Sequence, residues 1–221
     1  MHYDARTRDH GLAHDPFKAL VAPRPIGWIG TVDAEGRANL APYSFFNAVS
    51  DRPPMVMFSS GGRKDSLNNI AATGEFTCSL ASWSLREAMN LSSAPVSPLV
   101  DEFKLAQLQA APLRYVKPPR VAAAPAALEC RLWHMLALPA PPGRPDAGYT
   151  VVFGEVLGIY IDDVFIRDGI VRTGEMRPIA RMGYMEYSVV TPESVFALNR
   201  PLASADGLSA SQPVAWDGAY R

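Results

Sequence analysis

Cysteine is scarce in this chain: it has two, Cys78 and Cys130, set far apart. No CxxC or Cys/His spacing is present, which excludes a disulfide framework and gives no metal motif. Both lie in apolar, strand-like runs and read as buried free thiols. Histidine is equally sparse. His2, His10 and His14 fall near a polar start and His134 stands alone, so a surface tail explains the first three better than a ligand set. Excess charge is missing as well. The formal net charge is −1, with no basic stripe, so no nucleic-acid partner is expected. No apolar run approaches a membrane span, and residues 1–14 lack the apolar core of a signal peptide. A soluble, reducing, cytoplasmic setting without membrane attachment is the expectation. Also absent are a GxGxxG after a strand, the GxxxxGK[ST] spacing, a catalytic triad and a paired-carboxylate motif.

What remains is a hydrophobic chain of 221 residues, 48% apolar, enough to bury a sizeable core. Asp15-Pro16 starts a short helix that Pro23 and Pro25 end. Ile26 to Val32 reads as a strand, Asp33 to Gly36 as a turn, and Ala38 to Tyr43 as the return of a hairpin. Pro54 to Ser60 is a continuous apolar run of strand length. Asp65 is placed as the cap of a helix over Ser66 to Thr73, which Gly74 ends. Glu75 to Ala81 reads as a strand, with Phe76, Cys78 and Leu80 on one face and Thr77 and Ser79 on the other. Helical stretches are expected at Trp83 to Leu91 and Asp101 to Leu108. Long strands are expected at Ala127 to Leu138 and Tyr149 to Ile161, joined by a proline-rich loop, with a last strand at Tyr184 to Val190. Strands outnumber short, scattered helices, which argues against a doubly wound α/β sheet. The fold class is mainly β: an antiparallel β-barrel with peripheral helices. The expected organisation is a tail over 1–14, one domain over 15–200 and an irregular tail over 201–221.

The run Ser59-Ser60-Gly61-Gly62-Arg63-Lys64-Asp65-Ser66 carries the clearest chemistry. Two hydroxyls end a strand, two glycines permit a tight turn, and a cationic pair precedes a helix N-terminus. Backbone N–H groups and the helix dipole favour an anion there. Lys64, Arg63 and the Ser66 hydroxyl would add to a phosphate cradle; a solvated basic loop is the alternative. In Asn39 to Ser50, the polar Ser44 and Asn47 interleave with aromatics, which suits a flat ring with polar edges. Phe45 and Phe46 read either as contacts to such a ring or as core aromatics beside a β-bulge.

The runs RPIGWIGTVDAEGRANLAPYSFFNAVSDRPPMVMFSS and RKDSLNNIAATGEFTCSL resemble the flavin reductase-like, FMN-binding split-barrel family. FGEVLGIYIDD, DGIV and RPIARMGYMEYSVV agree with it. The resemblance spans about Asp15 to Pro192 and is most specific over Arg24 to Leu80. It implies a homodimeric barrel with one FMN per subunit near the dimer interface. Carried over by position, Thr31 and the stretch Ser44, Phe45, Phe46, Asn47 would meet the ring edge. Ser59, Ser60, Lys64 and Ser66 would hold the phosphate, with Arg63 beside them. Arg24 and Trp28 would sit near the ring or ribityl chain. Arg181 falls where the family places a basic residue by the cofactor; a structural ion pair is the other reading.

The activity this implies is hydride transfer from NAD(P)H to flavin, possible without a side-chain acid or base because the cofactor carries the chemistry. Arg24 or Arg181 is the expected cation near the ring. The reduced flavin would then serve a monooxygenase partner. Two alternatives stand beside this: an electron-transfer flavoprotein that passes electrons to an acceptor protein, and a non-catalytic flavin-binding module. The region over residues 81–125 is the expected site of substrate specificity. The tail with Trp216 and Tyr220 either covers a dimer partner or is disordered.

Overall fold

The computed structural model describes residues 1–212, 215, 216 and 218; Tyr220 lies outside the described residues. In chain order the elements are α1 (Phe17–Leu20), β1 (Arg24–Pro25), β2 (Gly27–Val32), β3 (Ala38–Tyr43), β4 (Phe46–Asp51), β5 (Pro54–Gly61), α2 (Asp65–Thr73) and β6 (Glu75–Leu80). Then come α3 (Arg86–Leu91), α4 (Glu102–Leu105), β7 (Ala110–Ala111), β8 (Arg120–Val121), β9 (Ala126–Ala137) and β10 (Tyr149–Ile161). The last are β11 (Ile166–Arg167), β12 (Ile170–Val171), α5 (Thr173–Met176), β13 (Ile179–Arg181) and β14 (Tyr187–Val189).

Seven strands form one antiparallel sheet in the order β3-β2-β6-β9-β10-β5-β4. The sheet curls until its far sides meet. Tyr43 on β3 packs on Phe58 of β5, with ring centroids 4.6 Å apart. No hydrogen-bonded ladder joins β3 to β5 among the described residues, so rings and not backbone span the gap. Inside the curl lies one core: Ile29, Tyr43, Val56, Phe58, Phe76, Cys78, Cys130 and Val152, plugged at one end by Leu67 and Ile70 of α2. A second core, including Trp28, Leu40, Met89, Phe103, Val121 and Ile179, covers the outer face of β2 with α3, α4 and β13. Every residue of β2 is therefore buried, and its continuous apolar run answers to two cores.

Several expectations about elements need correction. The segment after Tyr43 holds an unexpected strand, β4, whose pairing with β5 shifts register between Ala48 and Ser50. That bulge breaks the period-two pattern that would have revealed it. Trp83 to Leu91 divides into a 3-10 turn, Trp83–Leu85, and α3. Lys64, not Asp65, takes the N-cap position of α2, and no side chain caps it. Thr77 and Ser79 share the other face of β6, as expected, and that face too is buried. The covering segment buries them, with Thr77 Oγ1 donating to the Pro119 carbonyl at 2.9 Å and Ser79 Oγ accepting from Val121 N–H at 3.0 Å. The final strand is shorter than expected, Tyr187–Val189. Both cysteines are buried and free, and burial beside Cys130 pushes the Cys78 thiol well above its ordinary value. Among the described residues no helix is long and apolar enough to cross a membrane.

Candidate flavin-binding groove

The hairpin β2–β3 and the N-terminus of α2 build the first part of the site. Asn39, Ala41 and Tyr43 alternate on β3 and point the same way. They meet the first turn of α2 and the loop over residues 92–98, with Glu102 of α4 as a further wall. The enclosed cleft measures about 450 Å³ and is lined by Arg63, Lys64, Asp65 and Ser66. The start of α2 faces it without a side-chain cap, leaving backbone donors and the positive end of the helix dipole there. Lys64 is exposed and belongs to none of the ion pairs among the described residues. Arg63 Nε donates to Asn68 Oδ1 at 2.7 Å, which directs its guanidinium along α2.

Behind the cleft runs a buried hydrogen-bond network. Ser66 Oγ and Thr31 Oγ1 both donate to Asn39 Oδ1, at 3.0 and 3.2 Å. Asn69 Nδ2 donates to Thr31 Oγ1 at 3.0 Å. Glu102 holds the other side of Asn39, accepting from its Nδ2 at 3.0 Å and from Leu40 N–H at 3.1 Å. Burial raises the Glu102 carboxyl above its ordinary value, and these donors pull the other way. The Ser66 proton is thus committed to Asn39, and its backbone N–H in the first turn of α2 is the group left for an anion. The Tyr43 hydroxyl is buried with no well-aligned hydrogen-bond partner; burial pushes its pKa up, and the neighbouring Ser66 and Ser60 hydroxyls pull the other way. A buried hydroxyl left without any partner costs about 1–3 kcal/mol, and an anion in the cleft would give this one a well-aligned acceptor.

Pro42 and Ser93 are shared with a second basin of about 340 Å³, lined by Lys18, Arg24, Ser44, Arg181 and Tyr187. Arg24 and Arg181 lie directly opposite each other across β1 and β13. Like charges in that position repel, and burial together with Arg181 lowers the Arg24 pKa. Arg24 donates through its terminal nitrogens to the carbonyls of Lys18, Val21 and Met182, and its buried Nε has no hydrogen-bond partner. Arg181 donates to Tyr187 Oη and the Tyr184 carbonyl and remains part exposed. Neither forms an ion pair with a carboxylate among the described residues, so the structural ion pair considered for Arg181 is not there.

Arg24 and Ser44 in turn border a broad apolar hollow of about 920 Å³, which takes in Phe45, Phe46, Asn47 and Ser59. Phe46 packs over Gly27, where a Cβ would lie 2.5 Å from its ring; only glycine permits that approach.

Ten of the thirteen expected site residues therefore border this continuous set of hollows. Three do not. Trp28 is fully buried, and its indole Nε1 donates to Ser92 Oγ at 2.9 Å, so it reaches the cleft only through Ser92. Thr31 is fully buried in the Asn39 network and offers no ring-edge contact. Ser60 faces inward while its neighbour Ser59 faces the apolar hollow, as strand alternation demands. The expected phosphate group is thus split: Lys64, Ser66 and Arg63 stay together, and Ser59 sits on the other side of β5. Asn39, Tyr43 and Glu102 were missed. Alternation along β3 would have found the first two; Glu102 sits 63 residues from Asn39, and no local signal marks it.

A curled antiparallel sheet with short helices packed around it is the architecture of a split barrel. The chain belongs to the Flavin reductase like domain family, which it matches over residues 20–176. It is 39% identical over 194 residues to an uncharacterized protein of Deinococcus radiodurans, covering 82% of each chain. It is 33% identical over 193 residues to one of Aquifex aeolicus, covering 85% of this chain and 94% of the other. Among solved structures it resembles nitrilotriacetate monooxygenase component B from Bacillus cereus, with TM-score 0.77 and 26% identity over 86% of this chain and 95% of that one. It also resembles the Pseudomonas fluorescens 2-nitrobenzoate 2-nitroreductase, with TM-score 0.77 and 26% identity over 93% of this chain and all of the other.

Proposed function

We propose that this protein binds FMN and transfers hydride from NAD(P)H to flavin, as a homodimer that supplies reduced flavin to a monooxygenase. The observation that carries FMN binding is the cleft at α2. There an uncapped helix start, an unpaired lysine and a buried tyrosine hydroxyl without a well-aligned partner converge, a donor set suited to a phosphate. Lys64, Arg63, the Tyr43 hydroxyl and the first N–H groups of α2 would hold the phosphate. Ser44 to Asn47, at the mouth of the apolar hollow, would border the ring. Bound flavin supplies the hydride chemistry, so no side-chain acid or base is needed.

The remaining residues bind, orient and exclude water. Glu102 fixes the orientation of the Asn39 amide, and Asn39 fixes Ser66. Arg181, whose side chain is part exposed, is the better of the two arginines to place positive charge beside the ring; Arg24 is buried and ties α1 to the turn after β13 instead. The monooxygenase link is supported by the likeness to a monooxygenase component B.

An absorbance spectrum of the purified protein, followed by anaerobic NADH and NADPH, tests the reading. Flavin bands that bleach with either nucleotide support it. A colourless protein that takes up no FMN in titration overturns it. A yellow protein that neither nucleotide bleaches keeps FMN binding and removes the reductase activity.

A further inference from the structure

A fourth hollow opens between α3 and the β13–β14 hairpin, about 470 Å³ in volume. It shares Met89, Arg181, Met185 and Tyr187 with the cationic second basin, so the two are continuous through Arg181. Its lining combines rings and flexible apolar side chains with two guanidinium groups and one carboxylate, Glu87, which pairs with Arg86 at 3.4 Å and leaves Arg181 as the cation without an acid partner among the described residues. Trp83 is 41% exposed and its ring faces Arg86, whose guanidinium carbon lies 4.1 Å from the ring centroid. Arg181 lies 4.5 Å from the centroid of the Tyr187 ring.

Charge indicates what this hollow takes. One phosphate at α2 engages Lys64 and Arg63 and leaves the other end of the groove unbalanced. Lys18, Arg24 and Arg181 line that end, and none is paired with a carboxylate among the described residues. Keeping Arg24 and Arg181 opposed across a strand pair is unfavourable without an anion nearby. Arginine presents a planar fork suited to carboxylate or phosphate, and the part-exposed Trp83 and Tyr187 rings, each with a guanidinium over it, offer edges and apolar surface to a flat ring.

We propose that this hollow is a second ligand site, for a planar aromatic group joined to an anion, with the anion on Arg181 and the ring among Trp83, Met89 and Tyr187. The assignment rests on flavin occupying the neighbouring groove, because the ligand is then the partner of the flavin. Two sources carry this chemistry: the adenosine phosphate end of a nicotinamide dinucleotide, and a free aromatic carboxylate.

The test is calorimetric titration of the full-length, FMN-loaded protein with AMP, 2′,5′-ADP and benzoate. At least one probe should bind saturably. Trp83→Ala should weaken that binding by about tenfold or more, and Ser188→Trp, which fills the hollow, should abolish it. FMN affinity of both variants should stay within about twofold of the parent. AMP without benzoate identifies the dinucleotide, with 2′,5′-ADP tighter than AMP pointing to NADPH; benzoate without AMP identifies the aromatic acid. Failure of all three probes to bind, or binding unchanged in both variants, overturns the proposal while FMN binding stands. Failure of FMN itself to bind is read separately from the flavin spectrum and overturns the flavin reading together with this one.

Discussion

Glu102 is the residue on which the α2 cleft depends most. Its carboxylate is buried, accepts from Asn39 and Leu40, and has a pKa raised above the ordinary 4.5 by burial. A carboxyl with a raised folded pKa binds more protons in the folded chain than in the unfolded one. Its contribution is therefore complete below 4.5 and is lost as pH rises through the higher folded value. Stability of the parent protein should fall as pH climbs above 4.5, and Glu102→Gln should remove that slope. At low pH the protonated acid already turns one O–H toward Leu40 or Asn39, as the amide would, so the same substitution should cost less than about 1 kcal/mol there. Urea unfolding of both proteins across that range checks this; equal slopes would sink the assignment. Nothing in the sequence around Asp101-Glu102 announced the role, since a carboxylate at the start of a short helix ordinarily serves the helix itself. Lys64 and Arg63 were legible because their context, two glycines and then a helix, is local.

At the scale of elements, local chemistry was legible wherever one element supplied its own punctuation. The hairpin β2–β3 declares itself through Asp33 to Gly36, and Asp33 accepts from the N–H groups of Glu35 and Arg37 at 3.0 and 2.8 Å. The helix α2 ends at Gly74, whose φ of +74° closes the chain back on the Ile70 carbonyl. Replacing Gly74 by Ala forces a Cβ into the left-handed region and should cost about 1–2 kcal/mol. No neighbour crowds the site, so the cost is backbone strain alone. Denaturant unfolding should show the loss while FMN affinity holds, because the cleft proposed for the phosphate is at the opposite end of the helix; a loss of FMN affinity would place the flavin elsewhere. By contrast β4 could not be read in advance. Its bulge interrupts alternation, and its apolar residues answer to β5 and to the hollow instead of a period of its own.

For the whole molecule, the sequence revealed which residues belong together only where they lie close along the chain. It placed the β-rich class and most of the groove, but not the division of Ser59 from Ser60 or the burial of Thr31 and Trp28. Those depend on how the curled sheet sends alternate residues to its two cores. The outer face of β4, β5 and β10 is where that geometry leaves its largest debt. Phe17, Val49, Met57, Tyr149 and Phe153 border one hollow. Trp133 lies beside it, 6.1 Å from Phe153 between ring centroids and 66% exposed. A monomer rarely leaves so much contiguous apolar surface open. A second copy of the chain would cover it and close the hollow that Ser44 to Asn47 border, so dimerisation and flavin retention should fail together. Sedimentation should give twice the chain mass of 24.0 kDa for the parent protein. Val49→Asp and Phe153→Asp should sediment at 24.0 kDa with a β-type circular dichroism spectrum intact, and should bind FMN about tenfold or more weakly. A parent protein that sediments as a monomer refutes the dimer, and a monomeric variant with undiminished FMN affinity would confine the site to one subunit.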